Sequence, residues 1–147
     1  MYEISAQISE AVDKLKPEMQ KISAEEARRK PAPNKWSKQE ILGHLVDSAY
    51  NNMQRVVRSK YNKSHAFPPW EQDEWMSVQQ YNQAGWQEVI DLFTLNNRQF
   101  CRAINNLPPE AFNAECNMGK GPVTLNDVLK EYIRHMNHHI AQLVGKP

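Results

Sequence analysis

Cysteine is scarce in this chain: two residues, Cys101 and Cys116, among 147. Two thiols make no disulfide framework, so a reducing, cytoplasmic setting is expected. Glycine is scarce too, with five residues, three of them (Gly119, Gly121 and Gly145) near the C-terminal end. There is no internal repeat, low-complexity tract or domain linker, which argues for one domain over residues 1–147. No apolar run approaches the length of about 18 residues that a spanning helix needs, so no membrane partner is expected. The opening MYEISAQISE has neither a basic start nor an apolar stretch, so a signal peptide is not expected. Charge of one sign is also missing. Eighteen Lys plus Arg face 17 Asp plus Glu, a formal net charge of +1, and no global field for nucleic acid follows. Strand signals are nearly absent, because no stretch alternates apolar and polar residues over a useful length.

What is present is a patterned apolar set. Hydrophobic residues make up 40% of the chain, with four Trp and four Phe among them, enough to build a core. Proline is grouped at Pro31 and Pro33, at Pro68 and Pro69, at Pro108 and Pro109, and at Pro122. Proline lacks an N–H and clashes with the preceding turn, so these groups divide the chain into four helical stretches. The first runs from about Tyr2 to Leu15, with Ile4, Ile8, Ala11, Val12 and Leu15 on one face. A short helical turn around 23–29 follows, where Ser23 and Glu26 fit a capping box. The second opens at Ser37, with Glu40 as its capping partner, and its stripe from Ile41 to Val57 carries it to about Ser59. The third runs from about Val78 to Asn106, its apolar face broken by Asn96 and Asn97. The fourth starts at a Thr124–Asp127 capping box and ends at Gly145 and Pro147. Between the second and third lies a long aromatic-rich segment, about 60–76, with His65, Trp70 and Trp75, expected to pack on the body as a crossover. Four amphipathic helices with one face each to bury predict an all-α four-helix bundle with a long crossover between helices two and three.

The histidines carry the chemistry. His135 and His139 are four residues apart and project from one helix face. They fall seven residues beyond Val128 and Tyr132, on the apolar side, whereas His138 is turned toward the margin or solvent. His44 flanks the core stripe of the second helix. Two imidazoles at this spacing plus a third from a facing helix can form a three-nitrogen site, which Zn²⁺ favours with water completing the shell. Nickel and iron also accept imidazole, so the residues do not choose among them. Burying three neutral rings without partners costs several kcal/mol, and either a metal or a buried polar network would relieve it.

Three segments resemble a known family: Trp36-Ser37-Lys38-Gln39-Glu40-Ile41-Leu42-Gly43-His44-Leu45-Val46-Asp47-Ser48, then Asp73-Glu74-Trp75, then Val123-Thr124-Leu125 leading to His135-Met136-Asn137-His138-His139-Ile140-Ala141-Gln142. Over about residues 8–143 the chain is similar to the DinB-like superfamily, in particular its bacillithiol-transferase-like branch, once described as metal-dependent hydrolases. The resemblance implies a four-helix bundle holding one divalent metal, zinc or nickel, through His44, His135 and His139, with His138 as a recurrent non-ligand. It implies a metal-dependent thiol S-transferase that conjugates a low-molecular-weight thiol, such as bacillithiol or mycothiol, to a small electrophile. The alternatives are a metal-dependent hydrolase and a non-catalytic metal-binding or regulatory bundle.

Around that centre, Asp47 is a candidate catalytic residue, as a base or by orienting an imidazole; the competing reading is a solvent-facing acid. Arg134 is a candidate contact for an anionic thiol co-substrate, or a solvated helix side chain. Trp70 and Trp75 wall the site mouth or anchor the crossover. Tyr132 and Asn96 or Asn97 line the pocket or belong to the core. His65 is expected outside the ligand set, and Cys101 and Cys116 are expected to be inert. Arg55, Arg58, Lys60 and Lys63 are expected to form a solvated basic face. A small-molecule substrate and a homodimer are the expected partners.

Overall fold

The computed structural model describes residues 2–145. Along the chain run α1 (Tyr2–Gln20), α2 (Ala24–Arg28), α3 (Lys38–Ser59), β1 (Ser64–Ala66), α4 (Gln72–Gln79), α5 (Trp86–Asn105), β2 (Glu115–Asn117), β3 (Pro122–Thr124) and α6 (Leu125–Val144). Short 3₁₀ turns at Tyr81–Gln83 and Pro109–Asn113 join them. The helix starts follow from local chemistry. Ser37 Oγ accepts from Glu40 N at 3.1 Å while Ser37 N donates to Glu40 Oε2 at 2.8 Å, so two otherwise orphaned donors are satisfied. Thr124 and Asp127 do the same for α6, and Ser23 Oγ caps α2 through Glu26 N. Gly145, in the left-handed region at φ 66°, closes α6. Pro147 lies outside the described residues.

The four long helices form a ring in which α3 packs on α5 and α6, and α1 packs on the same two. Hydrogen bonds give the directions. Ser5 Oγ donates to Asn105 Oδ1 at one end, and Trp86 Nε1 donates to Met19 and Ile22 carbonyls at the other, so α1 and α5 are antiparallel. Gln39 Nε2 donates to Tyr81 and Ala84 carbonyls just before α5, and Asn96 Nδ2 donates to Val46 O further along, so α3 and α5 run parallel. This is the four-helix bundle with a long second crossover that the sequence predicts. Its core is built from Ile8, Leu15, Met19, Leu42, Leu45, Ile90, Phe93, Phe100, Leu129 and Met136. Helix α3 is buried on every side from Leu42 to Ala49, which marks it as the central helix of the bundle. No helix among the described residues is long and apolar enough to cross a membrane.

Three expectations are corrected. The third stretch does not run as one helix from Val78. α4 ends at Gln79, Gln80 turns left-handed at φ 46°, and α5 begins only at Trp86, capped by Gly85 and Glu88. Val78 is 80% exposed, so the helical spacing before Trp86 was fortuitous. The break exists because Tyr81 must enter the bundle over Gly43, where a Cβ would come within 2.1 Å of the Tyr81 ring. Helix α1 passes through Pro17 to Gln20, because Met19 is fully buried and Trp86 caps its last carbonyls. A small sheet also exists. β1 pairs parallel with β2, and β2 pairs antiparallel with β3. Each strand has three residues, too short for alternation to register, and His65 pairs with Cys116 across a separation no local pattern reports.

Candidate metal centre

His44 projects from the first part of α3, and His135 and His139 project from adjacent turns of α6, brought to face it by the α3–α6 contact. Their ligand atoms all lie within 4.8 Å of one another. His135 is the hub: its Nε2 lies 3.0 Å from His44 Nε2 and 3.2 Å from His139 Nε2. Nitrogens on a tetrahedral zinc with bonds of about 2.0–2.1 Å sit roughly 3.3 Å apart, so the spacing fits one ion. Without one, the lone pairs of neutral rings face each other and at most one proton can sit between each pair.

The surroundings keep these rings neutral and oriented. Burial, reinforced by His135 and His139, pushes His44 down to about 3. Burial and then His139 push His135 down to about 4. His139 is lowered in the same way, with Gln142 working against the shift. Neutral imidazoles offer lone pairs at pH 7, which is the state a metal needs. Gln142 Oε1 lies 2.8 Å from His139 Nδ1, and accepting that proton turns the bare Nε2 of His139 toward the cluster. His44 is held by packing. Its ring stacks on Trp70 at 5.2 Å between centroids and meets Trp36 at 5.0 Å, while its buried Nδ1 has no hydrogen-bond partner among the described residues.

A cavity of about 360 Å³ opens beside the rings. Its walls include His44, Ser48, Asn52 and Arg55 from α3, Trp70 and Met118 from the connections, and Val128, Glu131, Tyr132 and His135 from α6. Trp70 therefore walls the site, with Trp75 edge-on behind it at 5.7 Å. Tyr132 also lines the cavity, and its hydroxyl donates to the buried Asn97.

Asp47 is neither solvent-facing nor seen against an imidazole. It is fully buried, and its Oδ1 accepts from Tyr81 Oη at 2.6 Å and Gln79 Nε2 at 3.1 Å. Burial raises its carboxyl above the usual range, with those two hydrogen bonds opposing. Arg134 is exposed, forked onto Glu131, and borders a groove with Glu3 and Ile4 rather than the cavity. His138 is exposed. His65 lies outside the cluster, with Nε2 3.0 Å from Ser59 Oγ and 3.7 Å from Cys116 Sγ. Cys101 and Cys116 are both buried and unpaired, and burial pushes both thiols up, away from the reactive thiolate.

The basic face is corrected at one position. Arg55 is only 6% exposed and lines the cavity, whereas Arg58, Lys60 and Lys63 are exposed. The available signal was its spacing: residues 44, 48, 52 and 55 share one helical face. Tyr81 was missed as a partner of the site because its contact with Gly43 and Asp47 spans a broken helix.

Among curated proteins, none matches this chain. Two solved structures are similar. YfiT from Bacillus subtilis, described as a probable metal-dependent hydrolase with an unusual four-helix bundle topology, superposes with a TM-score of 0.86 at 20% identity, covering 97% of this chain and 83% of that one. The mycothiol-dependent maleylpyruvate isomerase superposes with a TM-score of 0.78 at 12% identity, covering 96% of this chain, which spans only 59% of that protein. The sequence profile of the DinB superfamily matches residues 7–143, nearly the whole bundle and all three clustered histidines, and the chain belongs to that superfamily.

Proposed function

We propose that this protein is a metal-dependent enzyme in which His44, His135 and His139 hold one divalent ion, zinc or nickel, and that its reaction class is hydrolysis of a small molecule in the adjoining cavity. The observation that carries the reading is the convergence of three neutral imidazole nitrogens from two helices beside a cavity. The likeness to YfiT, over most of both chains, supports hydrolysis ahead of the thiol transfer implied by the sequence resemblance. An ion held by three protein ligands supplies Lewis acidity toward a water or a thiol at its remaining positions. The chain's own residues do the rest. Gln142 fixes the His139 tautomer. Trp36 and Trp70 cover His44 and keep bulk water from its ring. Asp47 is a positioning residue in this reading: it holds Tyr81 against Gly43, the residue before His44.

One observation favours thiol transfer as the second reading. Glu131, the carboxylate bordering the cavity, is tied to Arg134, and Asp47 is not on the cavity wall, so among the described residues no carboxylate lining the cavity is free as a base for water. A thiol acidified by the ion needs no such base. The experiment is metal analysis of the purified protein, then chelation, reloading with zinc or nickel, and product release from aryl esters and amides with and without bacillithiol, mycothiol or glutathione. One ion per chain with thiol-independent release is expected. Release only with thiol transfers the assignment to the S-transferase reading, and a loaded protein inert in both assays leaves a non-catalytic metal-binding bundle. We further propose a homodimer through α5, on which Leu92 and Leu95 are exposed at 37% and 61%; sedimentation velocity reads it.

A further inference from the structure

Arg55 is a buried cation without an acid. It is 6% exposed, and no carboxylate lies within ion-pair distance of it among the described residues. Among the described residues its guanidinium makes one hydrogen bond, Nη1 donating to Asn52 Oδ1 at 2.7 Å. Its Nε is buried with no hydrogen-bond partner. The guanidinium lies 5.5 Å from the Phe67 ring centroid, which supports it from one side without neutralising it. A buried charge left unpaired is strongly unfavourable, and proteins keep one where a ligand completes it. Arg55 lines the same cavity as His44 and His135.

We propose that Arg55 is the anchor for a carboxylate on an elongated small-molecule substrate, whose reacting end lies at the three histidines. The second half of this statement rests on the metal-centre reading; the anion site itself does not. His44, Ser48, Asn52 and Arg55 climb one face of α3, and Arg55, eleven positions beyond His44, lies about 16 Å along the axis at 1.5 Å per residue. The Arg55 side chain leans back toward the helix start, which shortens that span. A ligand touching both ends is therefore long rather than compact. One buried guanidinium matches one negative charge, and its planar donors match a carboxylate. Lys120, also on the cavity wall, is exposed and adds attraction without burial. Ser48 and Asn52 border the cavity between the two ends and offer polar contacts to the middle of such a molecule.

The probe is ω-mercaptooctanoate, with its primary amide as the neutral control, titrated into zinc- and cobalt-loaded wild type, Arg55→Met and Arg55→Lys. Calorimetry reads the carboxylate end, and the cobalt–sulfur absorption band reads the metal end. Wild type is expected to bind the acid roughly tenfold or more tightly than the amide, the size of one charge-assisted hydrogen-bonded contact. Arg55→Met should erase that preference by weakening the acid alone, and Arg55→Lys should restore part of it. Equal affinity for acid and amide in wild type, or a preference that survives Arg55→Met, overturns the proposal. The two readings fail separately. An acid preference without the cobalt–sulfur band leaves the anion site and removes the metal assignment, and a band without acid preference does the reverse. Should Arg55→Met not fold, the Arg55 Nε–H resonance of nitrogen-labelled wild type decides: it must move with the acid and stay with the amide.

Discussion

A single buried ring, His65, and a buried-to-half-buried trio, His44, His135 and His139, sit in this bundle, and they differ in what faces them. His65 is 8% exposed on β1, with Nε2 3.0 Å from Ser59 Oγ. The Ser59 hydroxyl donates to Arg55 O at 2.8 Å, so Ser59 Oγ is left to accept the His65 Nε2 proton. That makes Nε2 one half of a complementary pair, while Nδ1 of His65, like Nδ1 of His44, is buried without a hydrogen-bond partner among the described residues. His44, His135 and His139 instead face one another, nitrogen to nitrogen. The two groups therefore differ at Nε2, which meets a hydroxyl of opposite hydrogen-bonding sense in His65 and another ring nitrogen in the trio. Rings that converge without a partner of opposite sense ask for a proton or a metal.

The contrast is broken most sharply at its hub. His135→Ala should weaken zinc binding roughly 100-fold or more, since losing a ligand exceeds the effect of losing its outer partner. His65→Ala should leave zinc affinity unchanged, as read by competition with a chromophoric chelator. If both variants lose zinc equally, the distinction between the groups is wrong.

Acid is the next lever. With folded values near 3 for His44 and 4 for His135, both below the unfolded value of about 6.5, the metal-free protein is fully stabilised above that value. Stability is lost as pH falls from there toward 3. Asp47, raised by burial, works in the opposite sense, its carboxylate becoming less costly as it protonates. The difference in urea midpoint between wild type and His44→Gln across this range isolates the imidazole contribution. It should shrink steadily as the pH is lowered.

Smaller effects sharpen the account of how the trio is held. Gly43→Ala places a methyl within 2.1 Å of the Tyr81 ring, which has to move, and should cost about 2 kcal/mol in urea unfolding. Because Tyr81 and Asp47 are bonded, zinc affinity should fall with it. Gln142→Leu removes the acceptor opposite His139 Nδ1 and should lower zinc affinity about tenfold with no change in unfolding midpoint of the metal-free protein.

Much of this was legible in the residues because it is local. The Ser37–Glu40 and Thr124–Asp127 boxes fix helix starts within three residues of themselves, and both form. The His135–His139 spacing commits both rings to one face of α6 whatever the rest of the chain does. The burial of Asp47 was not legible, and for Arg55 the spacing gave only its helix face and not its burial. Both are charged residues on α3, and their fate depended on neighbours from α4, the 3₁₀ turn and the connection through Phe67, which arrive from 20 or more residues away in the case of Tyr81 and Gln79. The small sheet was hidden for the same reason, its pairing joining β1 to β2 across two helices.

The sequence by itself determined the four amphipathic helices, their caps and the facing of two imidazoles, because periodicity and capping act over a turn or two of chain. Only the tertiary structure decided that His44 meets those imidazoles nitrogen to nitrogen, that Tyr81 closes over Gly43, and that Arg55 is buried with no acid beside it among the described residues. Those outcomes depend on which helix packs against which, and the free energy of packing belongs to the assembled bundle rather than to any one segment.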